Sequence, residues 1–260
     1  GSANIDKSIQ SYEKGFQLKP DSKEGWYNLG VAYGRKRMYA KEVRAYEKAI
    51  DIDPNYANAL HNLGLAYLDL GKKDKAAAAL SNVVEIDPGA TDAWNNLGIA
   101  NLELSKFDDA VVAMTKALET APDSIETRFN LVIALIRQAE SRESTADAEP
   151  IYESALDHCR KIIEKDPKYY KALYNEGVIQ HRLNNGPSEV AAYQAALAIK
   201  ENYPPALYNL ATAMSAKGDV DGAVDAWERY IEAARRHPGE RPFIDKARKE
   251  IERLKALPKS

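Results

Sequence analysis

The chain has 260 residues, a formal net charge of −3, 45% hydrophobic and 29% charged residues, and one cysteine, Cys159. These values exclude wholesale disorder, an internal disulfide framework and a cysteine-based zinc cluster. With no lysine or arginine run, nucleic acid is not expected as a partner, and with no apolar stretch near ~18 residues, neither is direct membrane insertion.

Residues 4–19 carry Ser8, Tyr12 and Phe16 at helical spacing ahead of Pro20, which predicts a helix whose usual first partner is missing. It is either a lone cap or the remnant of a longer array. Gly1-Ser2 reads as a cloning remnant, so a trimmed N-terminus is expected, and an export signal lost with it stays open. Nothing names a compartment; a cytoplasmic setting is the default expectation.

From residue 23 a phrase repeats. Pro20, Pro54, Pro88 and Pro122 are each 34 residues apart, and Pro167 follows Pro122 by 45, which marks an insertion of 11. Trp26-x-x-Leu29-Gly30-x-x-Tyr33 returns as Leu60-x-x-Leu63-Gly64-x-x-Tyr67 and Trp94-x-x-Leu97-Gly98. It decays to Leu131-Val132, Glu176-Gly177 and Leu210-Ala211. A second phrase, Ala-x-x-x-large, appears as Ala76/Leu80, Ala110/Met114, Ala155/Cys159 and Ala223/Trp227. Apolar residues at three- and four-residue spacing predict two amphipathic helices in each of six units: 23–56, 57–90, 91–124, 125–169, 170–203 and 204–237. Gly30, Gly64, Gly98 and Gly177 are expected where two helix backbones approach, and Gly71 and Gly218 where a first helix stops.

The insertion in the fourth unit is close to three helical turns at about 3.6 residues each, so lengthened helices would keep their buried stripe in phase. Residues 141–149 are polar, with Ser and Thr placed to cap a new helix and Pro150 expected in its first turn. Longer helices with a protruding elbow are therefore predicted. Residues 242–257 carry Phe243, Ala247, Ile251 and Leu254 between Arg and Lys residues, the pattern of a polar-backed capping helix.

Over nearly the whole chain this pattern resembles the tetratricopeptide repeat (TPR) family. The resemblance implies an all-α, right-handed superhelical solenoid of helix–turn–helix repeats, taken as a single domain over residues 1–260. It also implies that the first helix of each unit lines a concave groove. Three columns would face that groove. One is Asn28, Asn62, Asn96, Asn130, Asn175 and Asn209, whose amides suit a peptide backbone of any sequence. Beside it stand Tyr27, Phe129, Tyr174 and Tyr208. One turn along come Val31, Leu65, Ile99, Ile133 and Val178, interrupted by Thr212 and extended by Leu68, Leu102 and Ile136. Asparagine is common at this place in the family, and the aliphatic row could instead pack between helices, so contact with ligand and a structural role both stand. Arg35, Arg137 and Arg182 edge the strip, which points to a partner with hydrophobic anchors and some acidic character. The two-lysine clamp that grips a C-terminal carboxylate in chaperone-binding relatives is not evident. The corresponding places hold residues such as Gly30, Gly34 and Gly64.

No nucleotide-binding, metalloprotease, serine-hydrolase or calcium-loop motif is present, and no metal site or cofactor is expected. His61, His158, His181 and His237 are scattered through different units. Cys159 beside His158 occupies the slot of Leu80, Met114 and Trp227, so a buried inert thiol is expected. Glu176 replaces the leucine of its sister units; either its pKa is raised in an apolar slot, or the helix turns to let it reach solvent or a tyrosine. Glu42 and Glu189 replace alanine at the contact between paired helices.

The expected function is therefore a non-catalytic adaptor that binds a peptide segment or partner helix. Two alternatives keep the fold: the targeting domain of a larger enzyme such as a glycosyltransferase, or a scaffold that assembles into homo-oligomers.

Overall fold

The computed structural model describes residues 2–16, 18–235 and 238–257; His237 lies outside them. Among the described residues there are fourteen α-helices and no strand. The first helices of the units are α2 (Lys23–Arg35), α4 (Ala57–Asp69), α6 (Thr91–Glu103), α8 (Ile125–Glu140), α10 (Tyr170–Arg182) and α12 (Pro204–Ala216). The second helices are α3 (Tyr39–Ile52), α5 (Lys73–Ile86), α7 (Phe107–Thr120), α9 (Thr145–Lys165), α11 (Gly186–Ile199) and α13 (Val220–Ala234). α1 (Ser2–Gly15) precedes them, and a short 3₁₀ turn (Pro238–Glu240) leads to α14 (Arg241–Lys255).

The chain divides into two compact units, Gly1–Ala134 and Leu135–Ser260. In unit 1 each helix from α1 to α7 packs on the next, and in unit 2 the same holds from α9 to α14. No helix pair buries its own apolar face, so each repeat draws its core from the next.

Three local devices make the repeat. The first is a glycine receiving a large side chain. A β-carbon at Gly30 would lie 2.5 Å from the Tyr46 ring, and one at Gly64 2.7 Å from Leu80 Cγ. Gly98 faces Met114 in the same way and Gly177 faces Tyr193. The expectation of backbone against backbone is thus corrected: the space is filled by the bulky residue that ends the Ala-x-x-x-large phrase.

The second device ends the first helices. Arg37, Gly71, Ser105, Asn184 and Gly218 all have φ between 55° and 78°. After each, the chain folds back in a paired bond set: Ser105 N–H donates to Leu102 O at 3.1 Å and Lys106 N–H to Asn101 O at 2.9 Å. This left-handed cap satisfies carbonyls that the helix end would leave unpaired. Two of the five positions are glycine; at the other three only the fold reveals the cap.

The third device opens the first helices. Asp53, Asp87 and Asp166 accept from the backbone N–H two residues on, at 3.0–3.1 Å, which turns the chain at each Asp-Pro. Trp26 and Trp94 Nε1–H donate to the carbonyls of Pro20 and Pro88, both at 2.9 Å.

The insertion lengthens α8 to 16 residues and α9 to 21, against 13 and 14 for α2 and α3. Ser144 caps α9 by accepting from Asp147 N–H. Pro150 is the sixth residue of α9, not in its first turn, so its ring sits where the carbonyl of Ala146 loses its helical donor. In α14 the buried stripe is Ile244, Ala247 and Leu254, whereas Phe243 stays 49% exposed. Ala247 and Leu254 of the expected stripe are thus buried and Ile251 packs against the core, while Ile244 takes the place expected for Phe243.

Candidate functional site

Along each first helix, positions spaced i, i+3, i+4, i+7 and i+11 share one face. On α4 these are Asn58, His61, Asn62, Leu65 and Asp69, all exposed or half-buried, while Leu60, Leu63, Gly64 and Tyr67 on the opposite side are buried. The same division holds on α2 and α6, so all three sequence columns lie on the solvent-facing stripe of these helices.

In unit 1 three of the four asparagines are not free-standing. Asn62 Nδ2 donates to Tyr27 Oη at 3.2 Å, Asn96 Nδ2 meets His61 Nε2 at 3.2 Å, and Asn130 Nδ2 donates to Asn95 Oδ1 at 3.3 Å. Each bond spans 35 residues and reaches the preceding repeat. Because the amide donates, His61 accepts at Nε2, and burial pushes its pKa down against the pull of Asp92. Asn28 makes no side-chain hydrogen bond among the described residues and is exposed. In unit 2, Asn209 Nδ2 lies 3.3 Å from both Tyr174 Oη and Tyr193 Oη. Asn209 directs its amide nitrogen at two phenols and Asn62 also interacts with Tyr46, so what the four bonded amides have in common for another partner is the carbonyl.

The aromatic column is bound into the core more deeply than its exposure suggests. Tyr27 packs on Tyr46 and Tyr56 with centroids 5.9 and 5.5 Å apart. Tyr174 leans on Tyr193 and Tyr203, and Tyr208 on Trp227, Tyr230 and Phe243. Phe129 is half-buried. Of the aliphatic row, Leu65, Ile99 and Ile133 are half-buried; Val31 and Val178 are too, and rest against the cores of their own units. Ile136, expected to extend the strip, is buried.

His61 and Asn95 belong to the column of Tyr27 and Phe129 and were missed. Their 34-residue spacing was legible, but reading the column by aromatic character hid the residues that accept the amides.

The arginine edge is also changed. Arg137 and Arg182 both bind Glu140, at 3.1 and 2.9 Å, so two of the three guanidinium groups already hold a carboxylate. Glu176 is half-buried, with Arg160 Nε 4.0 Å from its Oε1. Burial raises its pKa and Arg160 partly opposes the shift; its partner is an arginine, not a tyrosine. Glu42 is raised by burial and by Asp69, and its carboxylate occupies space that a side chain at Gly34 would need. Cys159 is fully buried and its thiol pKa is pushed far up, which makes it a poor nucleophile. Among the described residues no group of histidine, cysteine or carboxylate side chains could hold a metal ion, and no helix is long and apolar enough to cross a membrane.

Comparison with known proteins agrees with this architecture. The chain is similar to the crystal structure of YrrB, a TPR protein with an unusual peptide-binding site: TM-score 0.67, 18% identity, 76% of this chain and 97% of that one. It is similar to the C-terminal part of a TPR repeat-containing protein from Cytophaga hutchinsonii, with TM-score 0.72 and 14% identity over 91% and 93% of the two chains. For MamA from Desulfovibrio magneticus the values are 0.60 and 16%, over 69% and 95%. No curated protein matches the sequence. The tetratricopeptide repeat profile matches residues 61–125 and 133–206, and related repeat profiles match 24–56, 43–71 and 205–234. With the repeat phrase, the glycine sockets and the left-handed caps all recurring in step, the chain belongs to the tetratricopeptide repeat family.

Proposed function

We propose that this chain is a peptide-binding adaptor that holds a partner segment along the solvent-facing stripe of its first helices. Its membership of the family makes it a protein–protein interaction module; the stripe as the binding face is our reading. One observation carries it. Amides at one repeat register are tied repeat to repeat, so their unused carbonyls stand in a fixed series beside half-exposed aliphatic side chains. A fixed row of acceptors suits the N–H groups of an extended backbone, and the aliphatic row suits its apolar side chains. YrrB, which shares the fold, is itself a peptide-binding protein.

Selection of peptides from a random library, followed by affinity measurement, tests this. Leu65→Asp and Ile99→Asp should each abolish binding of the selected peptides. Lys116→Ala on α7, where Lys116 pairs only with Glu119 of its own helix, should leave affinity unchanged. Tyr174→Ala is a poor probe, because Tyr174 also packs on two tyrosines and accepts the Asn209 amide. Peptides that bind the aspartate variants as tightly as the parent would place binding on another face.

A further inference from the structure

We propose that the stripe of unit 1 selects a basic amphipathic segment, one whose apolar anchors are flanked by lysine or arginine. This rests on the reading of the stripe as a binding face and names the chemistry of its occupant. Leu65 and Leu68 on α4 and Ile99 and Leu102 on α6 form the half-exposed aliphatic centre. Asp69 and Glu103 close the stripe at the C-terminal ends of those two helices, both exposed.

Those two carboxylates are badly placed for helix stability. The C-terminal end of a helix carries partial negative charge, so an anion there is disfavoured and a cation favoured. Helices α2, α8 and α10 follow that rule with Arg35, Arg137 and Arg182 at the equivalent place, yet α4 and α6 have no basic residue in their last turns. Helix stability therefore does not account for Asp69, whereas a cationic partner does; at the end of α6, Lys73 already supplies a cation, 3.2 Å from the Glu103 carbonyl oxygen. Asp69 has no ion pair among the described residues; Glu103 meets only Lys73, at 3.6 Å. Asp69 lies close enough to Glu42 to help burial raise its pKa, while Arg35 stands at the same register on α2. At the opposite edge of the stripe stand Glu24, Asp92 and Glu126, exposed and without an ion pair among the described residues. There the helix N-termini welcome anions, so these three add to the field without needing a partner to explain them.

The test uses two synthetic peptides that share leucines at i, i+3, i+4 and i+7, one flanked by lysines and the other by glutamates. Binding to the full chain is read by fluorescence anisotropy at low and raised salt. The lysine-flanked peptide should bind at least about tenfold tighter, with the advantage shrinking as salt rises. Asp69→Lys with Glu103→Lys should erase or reverse that preference. Both changes suit the helix macrodipole, so the variant should fold, as circular dichroism will confirm. Lys116→Ala on α7, a second helix away from the stripe, should leave the preference in place. If both peptides bind alike and both are lost on Leu65→Asp, the charge selection is wrong and the binding face stands. If neither peptide binds, the binding face and the charge selection both fall.

Discussion

His181 Nδ1 lies 3.0 Å from Glu189 Oε1, joining an exposed imidazole on α10 to a carboxylate on α11 whose side chain is only 10% exposed. Sister units place Ala76, Ala110 or Ala223 where Glu189 stands, and Leu68 or Leu102 where His181 stands. The imidazole gives this carboxylate, held between two helices, the nitrogen partner that such a group needs. His181→Ala should therefore destabilise the fold by about 1–3 kcal/mol, by leaving that carboxylate unpaired. The double change His181→Leu with Glu189→Ala, which restores the sister-unit pair, should recover most of the loss. Denaturant melts of the two single variants and the double variant measure the coupling.

Glu176 offers a test with a pH signature. Its folded pKa lies above the ordinary value of 4.5 because of burial. Below that ordinary value the carboxyl is protonated in both folded and unfolded chains and carries no ionisation penalty. The penalty grows as pH rises from there and levels off above the folded pKa. Glu176→Leu should stabilise the protein at neutral pH by about 1–2 kcal/mol, the scale of burying a leucine side chain. The gap between variant and parent should narrow on acidification. Thermal melts across the acid range check both; a gap that does not change with pH would mean the carboxylate is fully solvated.

The non-glycine caps predict easy stabilisation. Arg37 and Ser105 hold φ of 57° and 59° in the same left-handed turn that Gly71 and Gly218 occupy without strain. Arg37→Gly and Ser105→Gly should each stabilise by about 0.5–1 kcal/mol, the relief of left-handed strain less the extra entropy that glycine gives the unfolded chain. Gly71→Ala should cost a similar amount. Calorimetric melting of the single variants reads all three.

The asparagine column should divide by neighbour, not by residue type. Asn62→Ala removes a bond to Tyr27 and should cost about 0.5–1.5 kcal/mol. Asn28→Ala, at an exposed site with no such bond, should be nearly neutral to folding. Chemical denaturation of the pair separates the structural share of this column from its share in binding.

Much of this protein was legible in the order of its residues. A helical repeat needs only periodic apolar positions, a small residue facing a large one, and a chain reversal at fixed intervals, and each leaves a mark at 34-residue spacing. The buried Cys159 followed from local pattern, whereas the glycines at 30, 64, 98 and 177 were legible as small positions but not as sockets for a large side chain. The length of the insertion, near a whole number of helical turns, foretold longer helices in the fourth unit. What local pattern could not decide was which partner each polar side chain meets. The asparagines look identical in the sequence, yet Asn62 meets a phenol, Asn96 an imidazole and Asn130 another amide, because stacking sets each against the residue 35 positions earlier. The left-handed conformation of Arg37 and Ser105 is likewise set where the chain reverses between paired helices, since no intrinsic preference of arginine or serine would choose it. Arg137 and Arg182 appeared as free edge charges until the elbow brought Glu140 to both. Periodicity is a property of the chain and can be read from it; pairing across repeats is a property of the stack, and only the stack decides it.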